Sequence, residues 1–180
     1  MPPEHISPGV NIEEITSGSH TIPDAPSPSA AFLGGRRHVP TDAAGSVQGW
    51  SDYARVYGGL HPDSMLGYAV SLYFANGGQR AWIVRLAPDG DGTGAGSPLL
   101  PDTPAFAQAL FPTEVNEGEQ NLTGGIHHLE QVESFDLLCV PGRTDPVTQG
   151  QLASFCHQHQ AMYLADAPDT PDPGFIAPVA

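Results

Sequence analysis

The carboxylate-rich run 89–94, DGDGTG, is the first stretch whose residue types and spacing suggest chemistry. It places oxygen ligands at positions 1, 3 and 5 of a calcium loop and glycine at position 6. Position 12 of such a loop would be Leu100, where a bidentate Glu is required, and no helix is expected before it. We therefore expect a polar loop here and no calcium site.

Imidazole and thiol side chains form a second group, in which His127 and His128 could join Cys156, His157 and His159 around zinc. Structural zinc sites usually show close ligand pairs such as C-x₂₋₄-C. Adjacent residues of a helix diverge by about 100°, so Cys156 and His157 cannot face the same ion. We expect no metal ion and no cofactor.

The ends of predicted strands form the third group, because α/β enzymes place their chemistry there. Those ends carry Pro88-Asp89, Pro141-Gly142 and Asp166. Asp166 is the only suggestive carboxylate, and a role in a strand-end turn is favoured for it. The chain has no G-x-S-x-G elbow, no glycine-rich phosphate motif and no Lys. We expect no enzyme; the alternative is a small α/β enzyme using Asp166 and the loop 88–104.

Short apolar segments alternate with helical patterns from residue 30 onward. Strands are predicted at 30–34, 80–86, 135–140 and 161–165, and helices at 50–57, 65–75, 106–111, 126–132 and 147–160. This alternation predicts an α/β fold, a single domain whose mostly parallel or mixed sheet is flanked by helices. Residues 36–48 are predicted to be loop, and Ser51 or Asp52 is expected to cap the first helix.

The stretch 65–86, MLGYAVSLYFANGGQRAWIVRL, predicts a helix, a glycine stop and a strand. The apolar face of the helix is formed by Leu66, Val70, Tyr73 and Phe74. Asn76-Gly77-Gly78 supplies residues that tolerate positive φ, with which helices commonly end. The apolar run that follows suits a strand covered on both faces, and we expect the same of 135–140.

Both ends of the chain are rich in proline, so we divide it into an extended N-terminal arm (1–29), an α/β core domain (30–168) and an irregular tail (169–180). The arm contains a short β-prone segment between two glycines. Its residues are Val10, Ile12, Glu13, Glu14 and Ile15. A strand held away from its own sheet has unpaired backbone groups, which invite pairing with a neighbouring chain.

The charge balance is strongly acidic: 20 Asp and Glu stand against six Arg, giving a net charge of −14. Such a charge opposes binding to nucleic acids and to anionic membranes. Cys139 and Cys156 are expected to be reduced and buried. Neither a secretory signal nor an apolar run of about 20 residues is present, so we expect a soluble product of the cytoplasm.

Six stretches, in order, resemble the contractile-tail sheath family of phage tails and bacterial contractile injection systems. They are SPGVNIEEITSGSHTI (7–22), PSAAFLGG (28–35), VQGWSDYARVYGGL (47–60), the block 65–86, VESFDLLCVPG (132–142) and LASFCHQHQAMYLADAP (152–168). The most recognisable is 65–86, an aromatic-rich helix followed by N-G-G, a basic residue and an apolar strand. The ordered set covers most of residues 7–168.

The resemblance implies a structural protein whose subunits stack as rings around an inner tube. It implies strand exchange by the arm, with Val10, Ile12 and Ile15 as anchors, and assembly with copies of itself or with full-length sheath subunits. It also implies synthesis in a bacterial cytoplasm and incorporation into a phage tail or injection particle. Family members continue well beyond the position of Ala180, and contact with the inner tube belongs largely to that later part. A minor baseplate or cap protein built on the sheath domain is a further alternative.

Overall fold

The computed structural model describes residues 28–35, 43–86, 100–112 and 124–168. The strands are β1 (Ala30–Gly35), β2 (Gly45–Val47), β3 (Ala81–Leu86), β4 (Leu137–Cys139) and β5 (Met162–Leu164). The helices are α1 (Trp50–Tyr57), α2 (Met65–Ala75), α3 (Pro104–Leu110) and α4 (Pro146–Gln158), with a 3₁₀ helix at Gly125–Gln131. The predicted α/β class is confirmed. The run 89–94, considered above as a calcium loop, lies outside the described residues.

The five strands form one mixed sheet in the order β2-β3-β1-β4-β5. β1 pairs in parallel with β3 on one side and with β4 on the other, and β4 pairs in parallel with β5. Phe32 in the middle of β1 stands opposite Ile83 of β3 and Cys139 of β4, and Cys139 stands opposite Leu164. The sequence-predicted strands therefore meet with their carboxyl ends at one edge.

The sequence analysis missed β2, because the prediction of a loop over 36–48 includes this strand. β2 runs antiparallel to β3, with Val47 opposite Ala81 and Gly45 opposite Ile83. A strand of three residues containing glycine has no detectable period, and only pairing with β3 creates it. Glycine is required at position 45, since an added Cβ would meet the Tyr57 hydroxyl.

The two faces of the sheet are covered by different helices. α3, the 3₁₀ helix and α4 cover one face, where Leu33, Val84, Phe106, Leu129 and Leu152 are among the buried residues. α1 and α2 cover the other face, where Phe32, Tyr53, Val70 and Ile83 are buried. β1 is buried along its whole length, and β3 nearly so, as predicted for strands covered on both faces.

The starts of the helices differ in how their free N–H groups are satisfied. α4 begins with Asp145, whose Oδ1 accepts from Thr148 N at 3.0 Å, and a proline takes its first helical position. α3 begins in the same way, with Thr103 as its cap and a proline at its first position, Pro104, two residues before the predicted start. The predicted cap of α1 is wrong: Gly49 holds that position and no side chain caps the helix.

Ser64 occupies the N-cap position of α2, but its hydroxyl does not cap the helix. The buried Ser64 Oγ donates to the Gly35 carbonyl at 2.9 Å and so joins the start of α2 to the end of β1. α2 ends at Asn76, and Gly77 takes a φ of 91°, which confirms the predicted glycine stop.

Asp136 fastens the start of β1 to the start of β4. Its Oδ2 accepts from Ser29 N at 2.7 Å and from Ser29 Oγ at 3.1 Å, and its own N–H donates to the Ser29 carbonyl at 2.9 Å. Ser29 is buried although it was counted with the arm. Charged acceptors form the stronger class of protein hydrogen bonds, so this contact sets the register of the two strands.

We expect Asp136→Ala to lower the free energy of unfolding by about 1.5–3 kcal/mol, because two donors of Ser29 lose a charged acceptor. Asp136→Asn keeps one acceptor oxygen and should lose less. The measurement is urea unfolding followed by circular dichroism. The control is Glu133→Ala, since Glu133 makes only an exposed ion pair with Arg80 at 3.9 Å and should change stability by less than about 0.5 kcal/mol. Equal losses in Asp136→Ala and Glu133→Ala would contradict the assignment.

Candidate functional site

The carboxyl edge of β4 and β5 is the place where the sequence analysis located its only suggestive carboxylate. Asp166 follows β5, and its Oδ2 accepts from the backbone N–H of Gly142 at 2.6 Å. Its carbonyl accepts from Gln149 Nε2 at 2.7 Å, and the same amide donates to the Arg143 carbonyl at 3.1 Å. These contacts tie the loop after β4, the first turns of α4 and the loop after β5 together. They are the contacts of a turn residue.

Arg143 is the centre of this edge, and sequence reasoning did not identify it. The guanidinium is buried; Nη1 donates to the Pro101 carbonyl at 2.6 Å and Nη2 donates to Thr148 Oγ1 at 3.0 Å. Nε lies 2.5 Å from Asp145 Oδ2. The fork of donors thereby joins the segment before α3 to the start of α4. An Arg directly after the Pro-Gly that ends a strand was the available signal, but its partner Pro101 is 42 residues away.

Asp145 combines two roles, as cap of α4 and as ion partner of Arg143. Burial opposes its ionisation, but hydrogen bonds from Thr148 and the charge of Arg143 outweigh that effect and hold its pKa below the usual value. The carboxyl is therefore ionised at neutral pH. It serves as an acceptor for the helix start and offers no proton for general acid chemistry.

The two thiols were expected to be reduced and buried. Both are free, and Cys156 is buried, but Cys139 is only half-buried. Burial, followed by the charge of Asp166, raises the pKa of Cys139 to about 12, and burial raises that of Cys156 to about 11. Both thiols are thus protonated at neutral pH. The thiolate is the nucleophilic form, so neither cysteine is activated.

The histidines considered as zinc ligands are used in packing and local contacts. His127 Nδ1 lies 2.8 Å from Glu130 Oε1, and His128 is buried in the 3₁₀ helix. The His159 ring packs on that of Phe155, with 4.3 Å between centroids. Within residues 28–35, 43–86, 100–112 and 124–168, no three His, Cys, Asp or Glu side chains come together as a metal site would require.

The prediction that 135–140 is a strand covered on both faces is wrong for one face. Leu138 is buried beneath α4, but Leu137 and Cys139, which point to the other face, are only partly buried. In β5, Met162 and Leu164 point the same way and are exposed. The reason is that the cluster beneath α1 and α2 is centred on β2, β3 and β1. Leu137 and Cys139 of β4 pack only against its margin, and no residue of β5 belongs to it.

The segment proposed for subunit interaction, with Val10, Ile12, Glu13, Glu14 and Ile15, lies outside the described residues, as does Asp89. No helix among the described elements has the length and apolar character needed to cross a membrane. In comparisons with known proteins, no family model matches the chain, and no curated protein matches it.

We expect Arg143→Ala to lower the free energy of unfolding by about 2–3 kcal/mol, because a buried charged donor with three partners is lost. Arg143→Lys should not restore it, since an ammonium cannot reproduce the planar fork. Chemical unfolding of the variants is the measurement. Arg55→Ala is the matched control: its side chain is 74% exposed and pairs with Asp52 on the surface, so its effect should stay within about 0.5 kcal/mol. Wild-type stability in Arg143→Lys would contradict this role.

Stability should fall as the pH rises from about 9 to about 12. Burial is the largest cause of four raised pKa values. It raises the pKa of Tyr57 and of Tyr163 from 10.0 to about 12. It raises the pKa of Cys139 from 9.0 to about 12 and that of Cys156 from 9.0 to about 11. The unfolded chain therefore loses these protons before the folded one, and stability that is present below pH 9 is lost above it. Urea unfolding at pH 7, 9.5 and 10.5 measures the decline.

Cys139→Ser removes one of these titrating groups and should make the decline shallower than in the wild type. The comparison is between slopes, so it does not depend on the absolute stability of the variant. A free energy of unfolding that is constant between pH 7 and 10.5 in the wild type would contradict the buried, protonated state of these groups.

Proposed function

We propose that this chain is a structural subunit of a contractile-tail sheath, which assembles with copies of itself or with full-length sheath subunits. The observation that carries the proposal is the ordered set of sheath-like stretches and the places they take in the fold. PSAAFLGG forms the central strand β1, and the block 65–86 forms α2, its glycine stop and β3. The stretches that carry the resemblance are thus the elements around which the sheet is built.

The open edge of the sheet supports an assembly role. Among the described residues β5 pairs with β4 alone, so one row of its backbone N–H and carbonyl groups has no strand beside it. Such an edge is a template for a strand from another chain. Asp166 and Arg143 hold the loops at the carboxyl ends of β4 and β5 in place. The open edge of β5 therefore belongs to a strand whose end is fixed.

The arm would supply the incoming strand. Val10 and Ile12 alternate with polar residues, and backbone pairing gives affinity while alternate side chains fix the register. Glu13 and Glu14 keep the segment acidic, like the whole chain, and the net charge of −14 suits neither nucleic acid nor an anionic membrane as a partner. We place the protein in the bacterial cytoplasm until it is incorporated into a phage tail or injection particle. Contact with the inner tube would fall largely to the full-length sheath subunits, because the family makes that contact with the part of its chain beyond the position of Ala180.

Deletion of residues 1–18 should abolish rings and tubes, because the donated strand is lost, while the core keeps its circular dichroism spectrum. Electron microscopy of the purified chain, with and without full-length sheath subunits, is the measurement.

A sharper variant keeps the chain length: Val10→Asp, Ile12→Asp and Ile15→Asp together remove the apolar anchors. We name it the arm triple variant, and it should behave as the deletion does. Glu13→Gln with Glu14→Gln is the matched control, since it changes neighbouring residues without adding charge to the anchors, and its particles should look like those of the wild type. Assembly that persists unchanged in the arm triple variant would overturn strand donation by this segment.

A further inference from the structure

An apolar floor lies on the face of the sheet that α1 and α2 only partly cover. Leu137 stands opposite Met162, and Cys139 stands opposite Leu164, so these four side chains form two adjacent rows on the same face. Met162 is 62% exposed and Leu164 is 44% exposed. A sheet of an α/β domain normally has helices on both faces, and this part of the sheet lacks its second layer among the described residues.

The wall beside this floor is one side of α2. Met65, Ala69 and Leu72 fall within about 60° of each other at 100° per residue. This side is turned toward β4, because the Met65 Sδ lies only 2.7 Å from the position that a Cβ on Gly142 would occupy. Tyr68 lies on the side of α2 opposite the buried Leu66, pointing away from the sheet. α2 is therefore apolar on its outer surface as well as on its inner one.

The exposed part of this surface is formed by five apolar side chains. Met65, Leu72 and Met162 are each more than half exposed, and Tyr68 and Leu164 are 44% exposed. At roughly 100 Å² apiece these five side chains present about 500 Å², which is the scale of apolar patches that mark protein–protein contacts. The floor lies beside the wall on the same face of the sheet, and we call the space above the floor the β4–β5 groove.

We propose that the β4–β5 groove is filled by α2 of a second copy of this chain, in a two-fold symmetric dimer. A two-fold axis parallel to the strands, placed between α2 and the floor, sets each α2 on the other copy's floor. Tyr68 then faces Met162 and Leu164 of the second copy. The two α2 helices lie side by side, with Met65 and Leu72 of one copy against the same two residues of the other. Two sheets thus enclose one layer of helices.

α2 and the β4–β5 groove lie side by side on the same face of one chain, so a two-fold rotation can place the α2 of each copy in the groove of the other. A two-fold interface must be self-complementary, and a rotation that exchanges α2 with the floor beside it meets that condition for both copies at once. The five side chains alone would bury about 1,000 Å² over the two copies, close to the lower limit of a specific interface of roughly 1,200 Å² before the half-buried Leu137 and Cys139 are counted. None of these seven residues carries a charge at neutral pH, so the contact itself brings no like charges together.

The dimer does not depend on the proposed sheath function, because it uses no residue of the arm. The arm triple variant should therefore lose rings and tubes but remain a dimer. Failure of the sheath proposal would show as an absence of tubes in the wild type, whereas failure of the groove proposal would show as a monomeric arm triple variant. The two failures are distinguishable in the same samples.

Sedimentation equilibrium of the full-length arm triple variant, which should form no rings or tubes, tests the dimer, with a mass of about twice the 18.9 kDa of one chain expected. The substitutions that follow are made in this variant. Tyr68→Lys and Met162→Glu should each weaken dimerisation by about tenfold or more, since each places a charge in an apolar contact. The matched control is Val147→Glu, because Val147 is 75% exposed on α4, the helix that covers the opposite face. It should leave the dimer unchanged. Circular dichroism establishes that each variant is folded.

Mixing the two variants gives the most specific readout. A heterodimer of Tyr68→Lys with Met162→Glu carries one lysine facing one glutamate and one unaltered contact, so the mixture should dimerise more tightly than either variant alone. An arm triple variant that is monomeric at about 100 μM, a concentration about a hundred times a micromolar dissociation constant, would overturn the proposal. So would equal weakening by Val147→Glu, or no gain on mixing.

The chain's own tail is the competing occupant, since Phe175 and Ile176 follow β5 within reach of the groove. Phe175→Asp with Ile176→Asp separates the two cases. An unchanged dimer supports the second copy as occupant. An arm triple variant that is a monomer, and that becomes a dimer when Phe175 and Ile176 are also replaced, would assign the groove to the tail and overturn the proposal.

Discussion

The complete burial of β1 is the constraint on which the rest of this structure depends. All six residues of the strand are buried, so each backbone donor and acceptor needs a partner within the protein. β3 pairs with all six residues, and β4 pairs with the first three, Ala30 to Phe32, on the other side. The ends of the strand are closed by side chains: Asp136 receives the donors of Ser29, and Ser64 donates to the Gly35 carbonyl. Helices on the two faces then pack on a strand whose position is already fixed.

The carboxyl edge of the sheet shows how ionisable groups serve this architecture. Arg143 and Asp145 connect α3 and α4, and Asp166 connects the loops after β4 and β5. Cys139 and Cys156 have raised pKa values and remain protonated at neutral pH. Polar groups that are all engaged in holding loops together suit a building block whose surfaces must keep their shape, and this supports the assembly role that we propose.

Helices cover the two faces of the sheet to different extents, and the less covered face is where partners would bind. One face is covered across β3, β1, β4 and β5 by α3, the 3₁₀ helix and α4. The other is covered only over β2, β3 and β1. Surface left open on an apolar sheet is a site of association. Strand addition would use the edge of β5, whereas helix packing would use the groove above β4 and β5.

Local pattern was enough for the elements that repeat a simple period, and the tertiary structure decided everything that depends on distant partners. Apolar runs predicted β1 and β3, and the 3.6-residue period with Asn76-Gly77-Gly78 predicted α2 and its end.

β2 has no period of its own and exists because β3 pairs with it. Asp166 could be placed at a strand end from sequence, but its bond to Gly142 and the role of Arg143 required the folded chain. Ser29 and Asp136 meet across 107 residues, and the half-buried state of Leu137 depends on where α2 stops covering the sheet. Such contacts leave no periodic trace in the chain, because they are made between segments whose spacing in sequence is arbitrary.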